Sequence, residues 1–244
     1  MRKSTNHWGS QDSLLLELVR AIFRNDAAPV TKLLKQSPDL ARQPLMVGAS
    51  REAASDFYFP EIHHYLYAGD TALHAAACAY RKQIARMLLR CGADVRARNR
   101  RGAEPLHYAA DGGPGLKSWE RKAQAEMIRW LIQAGANPNA LDKSGVAPIH
   151  RAVRQRGSSA VDALLDHGAE VRLKNHSGST PLHLAVQNTG KGGSGSPEAK
   201  SQQIRIIQVL VQRGATPQDR DDKGKTVADC AHASWVRTSL RDAL

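Results

Sequence analysis

Four histidines, His74, His107, His150 and His183, are spaced 33, 43 and 33 residues apart. Imidazole is the commonest metal ligand, so such a ladder suggests a row of metal sites. One zinc ion needs each nitrogen at about 2.1 Å, whereas packed helices lie roughly 8 to 10 Å apart. Histidines on neighbouring repeats therefore cannot share an ion. The pair His63-His64 has no third ligand near it in sequence. Gly224-Lys225-Thr226 matches the end of a phosphate-binding loop, but the glycine required five residues earlier is Asp219. The run from Gly192 to Ser196 stops one glycine short of a nucleophile elbow, and no strand precedes it; it reads as a flexible loop. Cys78, Cys91 and Cys230 are odd in number and lie in no CxxC pair, so neither a disulfide framework nor a thiolate metal site is indicated, and a reducing cytoplasmic setting is expected. No nucleophile, base and oxyanion donor come together in a motif, so no catalysis, metal or cofactor is expected.

The elements that carry these histidines are periodic. Thr71-Ala72-Leu73-His74-Ala75-Ala76 returns as Glu104-Pro105-Leu106-His107-Tyr108-Ala109, Ala147-Pro148-Ile149-His150-Arg151-Ala152 and Thr180-Pro181-Leu182-His183-Leu184-Ala185, with a worn copy at Thr226-Val227-Ala228-Asp229. A glycine two residues before each motif falls at 69, 102, 145, 178 and 224, so a 33-residue unit carries inserts in two of its copies. Gly-Ala pairs begin at 92, 135, 168 and 214, each 10 residues before the next repeat glycine, which places both inserts between the two helices of their units. Apolar residues at i, i+3 and i+4 predict two short helices per unit, such as Leu106/Ala109/Ala110 and Ile128/Leu131/Ile132. The same offsets find Leu18/Ala21/Ile22 and Val30/Leu33/Leu34 upstream, a first unit without the motif. With 36 alanines against 12 aromatics, the core must be filled by helices that approach closely.

On these residues the chain resembles the ankyrin repeat family, whose 33-residue period carries a T-P-L-H-x-A motif. The match extends through Gly-Ala terminators and Asp/Asn-x-x-Gly turns at Asn99, Asp142, Asn175 and Asp221, whereas Leu66 stands at that place before the second unit. The resemblance implies an all-α solenoid with short β-like fingers, and a structural role for Thr71, His74, His107, His150, Thr180 and His183, the histidines bonding turn backbone. The expected layout is a tail over 1–10 and one domain over 11–244. Its units fall at about 11–41, 67–98, 100–141, 143–174, 176–220 and 222–244, with insertions at 43–68, 111–124 and 188–203. The loops 111–124 and 188–203, two units apart, would lie roughly 20 Å from each other.

The charge is uneven. Of a formal +12, residues 81–101 contribute eight basic side chains against Asp94 alone. Arg96, Arg98, Arg100 and Arg101 fall in one connector, where guanidinium groups favour an acidic partner. The first connector holds about 22 extra residues, including Phe57, Tyr58, Phe59, Tyr65 and Tyr67. Aromatics beside arginines are what a binding surface uses, while about half of these are expected to fold back and cover the second unit. The expected function is non-covalent binding of another protein, acidic in surface, through the groove and fingers, with Arg96, Arg98, Arg100, Arg101, Phe57, Tyr58, Phe59 and Tyr65 in contact. Alternatives are a regulatory or chaperone-like enzyme subunit and a small-molecule-binding solenoid. No specific nucleic acid is expected, since phosphate attraction without interleaved aromatics is weak and salt-sensitive. No apolar run nears the roughly 18 residues that would span a membrane, and a monomer is expected.

Overall fold

The structure, a computed structural model, describes residues 12–52, 54–113, 119–187 and 195–244. Among them are twelve α-helices that follow one another in pairs. The pairs are α1 (Ser13–Phe23) with α2 (Ala27–Gln36), α3 (Ala72–Cys78) with α4 (Lys82–Arg90), and α5 (Pro105–Ala110) with α6 (Arg121–Gln133). They continue with α7 (Pro148–Arg154) and α8 (Ser158–Leu165), α9 (Pro181–Ala185) and α10 (Pro197–Gln212), and α11 (Val227–Cys230) and α12 (Ser234–Asp242). First helices pack in the order α1, α3, α5, α7, α9, and second helices in the order α2, α4, α6, α8, α10, α12. The protein is an all-α ankyrin-type solenoid.

Each first helix starts where the sequence supplies a start. Proline stands at the first helical position of α5, α7 and α9, where its missing N–H is no loss. Ala72, Ala75, Ala76 and Ala77 on α3 have no exposed surface, so α1 and α5 can pack close against it on either side. One hydrophobic cluster runs unbroken from Leu15 to Leu240 and holds both Leu106 and Ile149.

The connectors close by a repeated side-chain device. Oδ1 of Asn99 accepts N–H bonds from Arg101 and Ala103 at 2.9 and 3.0 Å. Asp142, Asn175 and Asp221 do the same for the residues two and four further on. Where Leu66 replaces this residue, the turn is held from its other end: Asp70 Oδ2 accepts the Tyr67 N–H at 2.7 Å, and Leu66 is buried in the core. The repeat glycine needs a positive φ, +87° at Gly69, and a Cβ there would lie 2.7 Å from Asn99 Cα.

The insert 43–68 is a strap. It leaves and rejoins the stack at the start of α3, through Leu45 N–H to Asp70 O at 2.8 Å and Gly69 N–H to Leu45 O at 2.7 Å. Between these points β1 (Tyr58–Phe59) pairs antiparallel with β2 (His64–Tyr65), Tyr58 opposite Tyr65. Phe59 stacks edge-on against Phe23 at the end of α1, 5.0 Å between centroids. Ile62 borders a small cavity with Cys78 and Tyr80 at the end of α3. The strap thus runs along the first helices of the two leading units from their starts to their ends. Phe57, Phe59, Ile62 and Leu66 are buried, while Tyr58 and Tyr65 are exposed.

The two later inserts correct the expected separation of about 20 Å. Arg121 and Glu198, one from each, form an ion pair at 2.7 Å. The reason is that residues 197–203 extend α10 by two turns, carrying Glu198 over α8 to α6. The stretch from Gly192 to Ser194, read as flexible, lies outside the described residues, and Ser196 caps α10 by accepting the Ala199 N–H at 3.1 Å.

Candidate functional site

A cavity of about 530 Å³ forms a slot between the connectors and the first helices. Its connector wall presents Asn99, Arg101, Asp142, Ser144, Asn175 and Ser177, and its helix wall Tyr108, Arg151 and Arg154. The helix residues come from two positions of the repeat. Tyr108 and Arg151 directly follow the motif histidine; Arg154 lies three residues further on, on the same face of α7, and Asp111, its counterpart, is the extended residue that ends α5. In the second unit these two positions are Ala75 and Cys78, both buried.

The floor is a chain of paired charges. Arg151 Nη1 donates to Asp111 Oδ2 at 2.7 Å and Nη2 to Asp142 Oδ2 at 3.1 Å, tying α7 to the end of α5 and to a connector. His64 of the strap reaches the same Asp111 oxygen at 3.3 Å and stacks on Tyr108 at 4.6 Å. Its other nitrogen lies 2.7 Å from the Tyr65 carbonyl. Since a carbonyl and a carboxylate both only accept, His64 satisfies both contacts as an imidazolium. Burial lowers its pKa, but the Asp111 hydrogen bond and charge outweigh burial and the net direction is up. Burial likewise raises Asp111, yet Arg151 and His64 hold its carboxyl down to about 2. Beneath them, Tyr108 donates to Asp70 Oδ2 at 2.7 Å and Asn99 donates to Asp70 Oδ1 at 2.9 Å, all three buried.

The motif histidines are in the wall, not at the surface. In His74, His107, His150 and His183, Nδ1 accepts the backbone N–H of Thr71, Glu104, Ala147 and Thr180 at 3.0 to 3.2 Å. Nε2 therefore carries the proton and donates to the next connector, at Ala103, Val146, Leu173 and Lys225 carbonyls. Burial holds His74 below its ordinary pKa, and burial first, with Arg151 second, brings His107 to about 4. Thr71 and Thr180 hydroxyls lie 3.1 and 2.8 Å from the Nδ1 atoms of His74 and His183. In α11, Asp229 Oδ2 accepts the Thr226 N–H at 2.8 Å.

The arginines expected at the partner surface divide. Arg96 Nε donates to Gly135 O at 2.6 Å, Arg98 to the Gly102 and Leu141 carbonyls, and Arg100 to Ala49 O at 2.6 Å. These three brace one connector against the next and against the strap; Arg98 also pairs with Glu104 at 3.8 Å, whereas the carbonyls that Arg96 and Arg100 meet leave their charge unneutralised. Arg101 lies over the Tyr67 ring, 4.8 Å from its centroid, inside the slot. Neither Arg101 nor Arg154 has a carboxylate partner among the described residues. Of the expected aromatics, Tyr58 and Tyr65 reach the surface with tilted rings 4.9 Å apart, whereas Phe57 and Phe59 serve the core. Sequence reasoning missed His64, Tyr108, Asp111, Arg151 and Arg154. The readable signal was departure from small apolar types at the two repeat positions; His64 stands out in sequence only as half of the His63-His64 pair, which says nothing of Asp111.

Among the described residues no group of three or more His, Cys, Asp or Glu is placed to hold a metal ion, and no helix is long and apolar enough to cross a membrane. A family model described as ankyrin repeats (3 copies) matches residues 18–117 and 119–221. No curated protein matched the chain.

Proposed function

The chain belongs to the ankyrin-repeat family, and on that premise we propose that it is a non-catalytic module that holds an acidic partner protein in the slot between connectors and first helices. Ankyrin repeats generally mediate protein–protein interaction. The observation that carries the rest is the slot itself, about 530 Å³, with the guanidinium groups of Arg101 and Arg154, which have no carboxylate partner among the described residues, on its two walls. Arg96 and Arg100, on the same connector as Arg101, add positive charge, which speeds encounter with an acidic surface. The strap occupies the first-helix face of the leading units, so the partner binds to the third unit and beyond. A cytoplasmic location and a monomeric state complete this reading.

The test is affinity purification of the tagged full chain at two salt concentrations, beside a variant with Arg96, Arg98, Arg100 and Arg101 reversed to glutamate. A partner captured by the parent should weaken with salt and be lost from the variant. An unchanged capture profile would remove the basic connector from the mechanism. Copurification of an enzyme in fixed stoichiometry would instead make the chain a regulatory subunit.

A further inference from the structure

We infer that the element this slot receives is an extended acidic segment of about six residues that also carries one apolar side chain, which is seated beyond Tyr67 on the strap; the inference rests on the groove-binding reading above.

The length follows from the walls. Three successive connectors, at residues 99–101, 142–144 and 175–177, line the slot. At one helix-packing spacing of roughly 8 to 10 Å per unit, two intervals span about 16 to 20 Å. An extended chain rises about 3.3 Å per residue and covers that length with five or six residues. Ser144 and Ser177 line the slot with hydroxyls that can bond the free backbone N–H and C=O groups of an extended chain, groups that a helix pairs internally. An extended segment points alternate side chains inward and outward, so half of them remain outside.

The chemistry follows from what is left unpaired. Arg151 is already neutralised by Asp111 and Asp142, so Arg101 and Arg154 face the ligand with free charge from opposite walls. Carboxylates spaced along a peptide meet that demand. A nucleic acid strand carries a phosphate at every residue, more negative charge than the two free guanidinium groups match. The apolar requirement comes from a second pocket of about 240 Å³, lined by Ala49, Ala54, Tyr65 and Tyr67 together with Ser50, Arg51 and Arg100. Tyr67 lines both pockets. Tyr65 lies outside, 38% exposed, and Tyr67, half-buried against the core, connects the two pockets.

The experiment is a selection of random dodecapeptides displayed on phage against the immobilised full chain, followed by fluorescence titration of the enriched peptide. Arg154→Glu and Tyr65→Ala are the variants, both at exposed positions and checked for an unchanged melting curve. Enriched sequences should carry two or more acidic residues within six positions and an aromatic or branched aliphatic residue beside them. Arg154→Glu should weaken binding at least tenfold, and Tyr65→Ala should abolish the preference for the apolar residue. No enrichment, enrichment without acidic residues, or affinities unmoved by both variants would overturn the inference. So would tighter binding of a labelled single-stranded oligonucleotide at physiological salt. If a folded partner is still captured through the connector arginines while no peptide enriches, groove binding stands and the extended segment falls.

Discussion

Replacing Arg151 with methionine tests the charge chain that builds the slot. The new side chain is of similar length and fills the same space beside Tyr108, but it leaves Asp111 and Asp142 without their shared guanidinium. The side chains of Arg151, Asp111 and Asp142 are only 16%, 15% and 9% exposed, so solvent cannot take over. Removing one partner of a buried pair costs about 3 to 5 kcal/mol, which for a chain of this size lowers Tm by roughly 6 to 20 °C. The pH dependence discriminates further. Asp111 has a depressed folded pKa of about 2, so in the parent its stabilisation is present above its unfolded pKa and lost as the pH falls through that value. In the variant burial is opposed by His64 alone, the carboxyl titrates higher, and protonation relieves the stranded charge. The stability gap, followed by urea unfolding monitored by circular dichroism, should therefore narrow from pH 7 to pH 4. A gap under about 1 kcal/mol at pH 7, or one of equal size at both pH values, would refute the account.

Other consequences can be measured independently. Because the folded pKa of His64 is raised, its stabilisation of the strap is full below about 6.5 and is lost as the pH rises through the folded value. Amide exchange at residues 57–66, corrected for intrinsic rate, should accelerate above neutrality in the parent and be pH-independent in His64→Gln. His107 behaves oppositely: with a folded pKa of about 4, it costs stability as the pH falls through 6.5 towards 4, on the order of 3 kcal/mol in full. His107→Gln should remove one share of that slope and leave those of His74 and His150, which burial also holds below their ordinary values; an unchanged profile would show that His107 is not buried neutral. Gly69→Ala forces a side chain into φ +87° with its Cβ 2.7 Å from Asn99 Cα. It should destabilise by about 2 kcal/mol or more, whereas an unchanged melting temperature would mean the turn can move.

What could be read along the chain follows the period of the repeat. The motif places a helix start, an imidazole and a turn glycine at fixed offsets, so His107 bonding the Val146 carbonyl needs nothing from outside two adjacent units. The exceptions are informative in the same terms. Leu66 broke the turn pattern because its side chain is part of the core under the strap, and Asp70 took over the turn. The loops 111–124 and 188–203 were judged by unit spacing alone, which neglected that extra residues could lengthen α10 and bring Glu198 to Arg121.

The sequence by itself determined the stacked helix pairs, their order and the location of excess arginine, because each depends on residues close together in the chain or on an exact repeat. Only the tertiary structure decided where the slot lies and what lines it. His64, Asp111 and Arg151 are separated by 47 and 40 residues, and their meeting depends on the path of a strap that obeys no period. The same path buried Phe57 and Phe59, left Tyr65 outside, and closed the leading end of the slot. Burial then set the charge states, since an imidazolium and a guanidinium on one carboxylate are stable there only because each neutralises what desolvation would otherwise penalise.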